Sequence, residues 1–212
     1  MESEIKKTVK KKLREFSMKE ILLANKLKYV SDGFDIIDNS LKIGRLGYAF
    51  VSSKFAEYGS SVGMYVVFSL TDGKLISVVN NLNLSYSNYF HNNHNFSFTS
   101  LSYLPNLFFK NGTVSFFENE NIDEKCNLIV KKVQNLYLSK IQDFINSDIK
   151  TIDDILEAPK NYGRPVAFAL IVCYLNNRLD MIDDVIKRVK IKKLYDSSQD
   201  KIDEILSKLS FL

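Results

Sequence analysis

The only histidines, His91 and His94, form a closely spaced pair of potential metal ligands in Tyr89-Phe90-His91-Asn92-Asn93-His94-Asn95. A stable zinc site takes three or four nitrogen, sulfur or carboxylate ligands, and the surrounding Asn and aromatic residues supply none of the usual others. The spacing therefore predicts a polar loop between strands and no metal. Cys126 and Cys173 each fall in an apolar helical pattern, where a reduced thiol acts as a small hydrophobe. Carboxylates pair at Asp153-Asp154, Asp183-Asp184 and Asp203-Glu204, each pair on a predicted helix, and the first opens its helix where the dipole favours anions. No GxSxG, P-loop, HExxH or GxGxxG pattern occurs, and Gly44-Arg45-Leu46-Gly47 lacks the rest of any phosphate-binding pattern. The expectation is a protein without catalytic residues and without a cofactor.

Recognition has better material. The segment from Ser85 to Asn95 carries Tyr86, Tyr89, Phe90, two His and four Asn, with no formal charge at neutral pH. Tyr and Asn combine large rigid contacts with adaptable hydrogen bonds, the mixture favoured on recognition loops. Tyr86, Tyr89, Phe90, His91, His94 and Phe96 are therefore the candidate partner-binding residues, against the plainer reading in which the aromatics pin the loop to the core. The basic run Lys6 to Arg14 could meet phosphates, but Glu2, Glu4, Glu15 and Glu20 dilute its field and few aromatics lie nearby for base stacking. A second run, Lys187 to Lys193, sits at a predicted helix end, where the dipole stabilises cations. Nucleic acid is disfavoured on both counts, and the expected partner is a protein.

The elements that position these residues follow from periodicity. Ile5, Val9, Leu13, Phe16, Leu23 and Leu27 mark one helix or two over residues 3–28, Ser17 and Glu20 matching a capping box at which a second helix would start at Met18. From Phe34 to Glu118 the pattern turns to short stretches of Tyr, Phe, Val and Thr punctuated by Gly, Asn and Asp, which predicts antiparallel strands. The clearest is Val62 to Leu70, alternating Val62, Met64, Val66, Phe68 and Leu70 on one face. Asp72-Gly73 reads as the tight turn of a hairpin returning over Leu75 to Val79. Asn111-Gly112 repeats the signal, pairing Leu107-Phe108-Phe109 with Val114 to Phe117. Weaker strands are expected at Phe34 to Ile37, Gly47 to Phe55 and Phe96 to Tyr103.

Beyond Asn121, whose side chain can cap a helix with Glu124 three residues on, Ile122, Cys126, Ile129, Val133, Leu136, Ile141 and Phe144 mark a long amphipathic helix. Thr151 with Asp154 predicts another capped start, which Pro159 ends near Ala158. Pro165 suits the first turn of a helix through Val166 to Leu175, apolar on all sides and so buried in a helical layer. Two further stripes run through Leu179, Ile182, Val185, Ile186 and Val189, and through Ile202, Ile205, Leu206 and Leu209. The fold class is α+β: an N-terminal helix, a central antiparallel sheet and a helical C-terminal third, expected as a single domain over 1–212, with 121–212 packed on 1–120.

Length and composition agree with a packed globule. The 212 residues are 45% apolar with 8 Gly and 3 Pro, and 29 basic against 25 acidic side chains leave +4, too little to argue for nucleic acid. The longest apolar run, Val166 to Leu175, is half of the about 20 residues a membrane helix needs. A charged start without an apolar core is unlike a signal peptide, so the expected location is the cytoplasm.

The N-terminal helix, a sheet entered through Leu46-Gly47-Tyr48-Ala49-Phe50-Val51-Ser52 and a long helix ending Lys140-Ile141-Gln142-Asp143-Phe144-Ile145-Asn146 together resemble, in layout, the immunity proteins of bacterial polymorphic-toxin and contact-dependent growth inhibition systems. That resemblance implies a small cytoplasmic toxin inhibitor that binds a cognate toxin domain and has no catalysis of its own. It carries over no site residues. The alternatives are a nucleic-acid-binding or other adaptor protein, or an enzyme with a motif-free active site.

Overall fold

The computed structural model describes residues 4–20, 27–30, 33–51, 58–90, 95–99 and 113–211. The protein is α+β, and the chain gathers into two compact units, Met1–Phe68 with Phe98–Ser139, and Ser69–Ser97 with Lys140–Leu212.

In the first unit, helix α1 (Glu4–Glu20) buries Val9, Leu13 and Ser17 and packs on α3 (Ile122–Lys132). Strands β1 (Leu27–Val30), β2 (Gly33–Asp38) and β3 (Leu41–Val51) form an antiparallel meander, with β2 and β3 joined through Asn39 and Ser40 at φ 47° and 66°. Strand β4 (Val62–Leu70) follows β3 in the sheet order, then β5 (Phe96–Thr99), while β6 (Val114–Phe116) also pairs with β4, Val62 opposite Phe116. β4 has the expected bounds, and its buried residues include the predicted face Val62, Met64, Val66, Phe68 and Leu70.

Two expectations for this unit are corrected. α1 does not restart after Ser17: the hydroxyl is buried within the continuous helix and shares a 2.6 Å hydrogen bond with the Tyr48 hydroxyl, so a tertiary partner replaces the backbone N–H it was assigned. Leu27 belongs to β1, paired with Ile36, and not to the helix. The expected strand Leu107 to Phe109 and the Asn111-Gly112 turn lie outside the described residues, as do residues 52–55 and 100–103 of two weaker strands.

Asn121 caps α3 as expected, accepting from the Glu124 N–H at 3.1 Å. The long helix then passes through a π-helical segment, Val133–Tyr137, into α4 (Leu138–Ile145). The Leu138 N–H bonds to the Val133 carbonyl five residues back, which keeps the buried stripe continuous from Val133 to Leu138 and on to Ile141 and Phe144.

In the second unit, α2 (Lys74–Asn81), α5 (Thr151–Glu157), α7 (Ile182–Ile191) and α8 (Gln199–Leu209) surround α6 (Pro165–Leu175). Every residue of α6 from Pro165 to Cys173 is buried, which explains a helix apolar on all sides. Phe144, Tyr162 and Phe168 form an aromatic trio with ring centroids 5.5–6.0 Å apart.

The hairpin at Asp72-Gly73 is the main correction. Leu75 to Val79 belongs to helix α2, entered through Gly73 at φ 125°, a backbone conformation open to glycine. Asp72 accepts from the Gly73 N–H at 2.7 Å and from the Ser77 hydroxyl at 3.3 Å. Leu75, Ile76, Val79 and Leu82 are the buried positions, spaced for one helical face, whereas a strand would have placed Ser77 on the same face as Leu75 and Val79. Thr151 likewise does not cap α5: it is the first helical residue, buried, and its hydroxyl finds no hydrogen-bond partner among the described residues. Leu179, assigned to the α7 stripe, precedes that helix in a short 3₁₀ turn and is exposed.

Candidate functional site

Three segments of the second unit converge around the aromatic loop: residues 82–90 after α2, Tyr162-Gly163-Arg164 before α6, and Lys192 to Ser198 between α7 and α8. The cause lies at the start of α6. Its N-cap position is Arg164, whose side chain makes no capping bond, and Pro165 has no N–H, so the next N–H groups need an acceptor from elsewhere. Asp196 supplies it. Its fully buried carboxylate accepts from the Val166 N–H at 3.3 and 3.1 Å, and burial, partly offset by these bonds, pushes the carboxyl up to about 6.

Tyr86 closes this group from the loop side. Its hydroxyl donates toward Asp196 Oδ2 at 3.4 Å, and its ring makes cation–π contacts with the Arg164 guanidinium (5.6 Å) and the Lys201 ammonium (5.0 Å). Arg164 donates to the Tyr86 carbonyl at 3.0 Å. Burial, then the Asp196 charge, raise the Tyr86 phenol above its ordinary range.

Further bonds hold the loop at both ends. Glu204 of α8 accepts from the Ser85 N–H and hydroxyl, each at 2.7 Å, and from Lys208 at 2.8 Å; Lys208 first, then Ser85, hold its carboxyl down at about 2. The Tyr89 N–H donates to the Gly163 carbonyl at 2.8 Å, and the Gly163 N–H to the Asn95 carbonyl at 2.8 Å. Asn88 donates to Asn95 Oδ1 at 3.1 Å and accepts from the Phe90 N–H at 3.0 Å.

Tyr89 is the residue this clamp presents outward. It is 48% exposed, its ring rests on Tyr195 at 5.3 Å, and Phe90 meets its edge at 5.9 Å. Tyr195 is fixed in turn, donating to the Gly163 carbonyl at 2.5 Å while Lys201 donates to its own carbonyl at 2.9 Å. Beside the two rings opens a cleft of about 260 Å³, lined by Tyr89, Pro159, Lys160, Lys192, Lys193, Leu194 and Tyr195. Its lining is mostly apolar, and three of its seven lining residues, Lys160, Lys192 and Lys193, are exposed lysines.

Of the predicted site residues, Tyr86, Tyr89 and Phe90 come together, but in different roles. Tyr86 is a half-buried clamp, Phe90 is half-buried behind Tyr89, and only Tyr89 reaches the cleft. His91 and His94 lie outside the described residues, and Phe96 begins β5. Sequence reasoning missed Tyr195, Asp196, Gly163 and Lys160. Lys192 and Lys193 were legible only as cations at a helix end. Of the acidic pairs, Asp153 meets Arg188 at 2.7 Å, Asp154 meets Lys140 and Asp184 lies 3.7 Å from Arg188.

Cys126 and Cys173 are buried free thiols, pushed up by burial to about 12 and about 11. Among the described residues no three His, Cys, Asp or Glu side chains gather where they could hold a metal ion, and no helix is long and apolar enough to cross a membrane. Comparison with known proteins gives no match: no family model, curated protein or solved structure is similar to this chain.

Proposed function

We propose that the protein is a non-catalytic binding protein of the bacterial cytoplasm, an immunity protein whose partner is a cognate toxin domain. The observation that carries the binding reading is the clamped loop: backbone and side-chain bonds from the segment before α6, from α8 and from the α7–α8 connection hold Tyr89 outward beside an apolar cleft. A loop ordered before binding forfeits little further entropy on association, and an exposed Tyr beside a concave apolar wall is the kind of anchor that dominates interface energies. A standard interface takes about 800 Å² from each side, so the cleft is one anchor within a wider contact. The toxin-domain identity rests on the layout of helix, sheet and helical C-terminal part.

Against the nucleic-acid alternative, the Lys6 to Arg14 run is largely engaged within its own unit. Lys7 pairs with Glu4 at 2.8 Å and Lys12 with Asp123 at 2.8 Å, while Lys6 and Lys10 lie over the Phe50 ring at 5.5 and 5.4 Å. Against the enzyme alternative, the one carboxylate with a strongly raised pKa in this region, Asp196, is sealed from solvent.

The test is co-expression with the product of the adjacent gene. A complex that co-purifies, together with protection of cells expressing that product, is the expected result. No complex and no protection would refute the immunity reading.

A further inference from the structure

We propose that the cleft between Tyr89, Pro159, Leu194 and Tyr195 receives an acidic segment of the protein partner, one apolar side chain entering the cleft while flanking carboxylates meet Lys160, Lys192 and Lys193. This rests on the binding reading above and adds the chemistry of what is bound.

Charge is the first observation. Among the described residues, Lys140, Arg188, Arg178 and Lys208 of this unit have their charge answered within the fold, by Asp154, Asp153, Asp180 and Glu204. Lys160, Lys192 and Lys193 are exposed, line one opening, and make no ion pair among the described residues. Three like charges around an apolar wall repel one another, and an anionic ligand relieves that repulsion.

Backbone geometry is the second. Lys193 follows α7 at φ 51°, where the Leu194 N–H reaches back to the Val189 carbonyl in the manner of a helix C-cap. Glycine or asparagine is the usual residue there, and among the described residues the other positive-φ positions outside glycine are Asn39, Ser40, Asn83, Ser147 and Asn177. Lys193 alone of this set bears a long cation, and it bears it at the cleft. Residues held in a left-handed conformation against their steric preference are enriched at functional sites.

Size and shape decide between occupants. At about 260 Å³ the cleft falls below the ~300–1,000 Å³ of pockets that enclose whole small ligands, and suits one side chain of a longer segment. A single-stranded nucleic acid needs a groove tracking several phosphates with successive stacking platforms. Here Tyr89 and Tyr195 lean on each other as one platform.

The experiment is selection of a displayed library of random short peptides on the full-length chain, followed by fluorescence anisotropy with the enriched peptides and, in parallel, with an oligothymidylate. The expected peptides carry two or more Asp or Glu beside one apolar residue. Their Kd rises about tenfold in the Lys160→Ala, Lys192→Ala, Lys193→Ala triple variant, is restored by the corresponding Arg variant, and also rises about tenfold in Tyr89→Ala. All four sites are surface positions, and circular dichroism with thermal melting verifies that each variant stays folded. Failure to enrich, enrichment without acidic residues, or equal binding to the triple Ala variant overturns the proposal. Oligothymidylate binding that displaces the peptides and is lost in the triple variant overturns it in favour of nucleic acid. A toxin complex that forms with no acidic peptide enriched leaves the immunity reading standing without this cleft. Acidic peptides that bind with no toxin complex leave the cleft without that reading.

Discussion

Replacing Gly163 by Ala puts a methyl group 2.1 Å from Asn88 Oδ1, 2.7 Å from its Cγ and 2.8 Å from its Nδ2. These atoms belong to one planar amide, so no small rotation relieves all three contacts and the whole group must swing away. It then loses its bonds to Asn95 Oδ1 (3.1 Å) and the Phe90 N–H (3.0 Å). At about 0.5–1.5 kcal/mol each, the two bonds set the expected cost of Gly163→Ala at about 2 kcal/mol. Asn88→Ala removes the same bonds without the clash and should cost a similar amount. Because both changes remove one arrangement, the double variant should also cost about 2 kcal/mol, not 4, a coupling of about 2 kcal/mol. Native-state hydrogen exchange at the Tyr89, Phe90 and Gly163 amides reads the local opening energy directly, without assuming that the two units unfold together. Strict additivity in this cycle would refute the reasoning, since it would mean that the methyl group is absorbed by the backbone of residues 162–164 and that Asn88 is not its obstacle.

The folded protein holds a proton on Asp196 at a pH where the unfolded chain, with an ordinary carboxyl near 3.9, has released it, so stability should fall by about 2–3 kcal/mol as pH rises from about 4 to about 6. Asp196→Asn should flatten that window in urea midpoints, and a variant retaining the wild-type slope would exclude Asp196 as the source. Cys126 and Cys173, buried and with raised thiol pKa, should stay unreactive toward a disulfide reagent in the native protein and react together with unfolding; a fast native-state reaction would contradict their burial. Lys193→Gly should raise stability by about 0.5–1 kcal/mol by relieving the left-handed backbone, while weakening acidic-peptide binding; a lower melting temperature would show that the Lys193 side chain itself stabilises the fold.

What the sequence by itself determined are the elements whose signals are local. β4 is written in its alternation, α6 in an apolar run opened by Pro165, the start of α3 in Asn121 and Glu124, and the end of α5 in Pro159. In each case backbone preference and side-chain periodicity act within a few residues and agree. The tertiary structure decided the cases in which a partner distant in sequence competes with a local rule. Asp72-Gly73 carries a turn signal, yet burying Leu75, Ile76, Val79 and Leu82 on one face requires a helix, and α2 packs that face on α6. Ser17 has the neighbours of a cap, but Tyr48 takes its hydroxyl. The assembly of the candidate site belongs to this second class. Tyr89 was legible as an unusual aromatic in an uncharged loop, but its cleft needs Lys160 and Lys193 from segments far along the chain, and the loop is held by Asp196, a carboxylate recruited because α6 begins with Arg164 and Pro165 and lacks a cap of its own. Local propensity specifies which elements form; the need to satisfy buried backbone and bury apolar faces selects which distant residues they bring together.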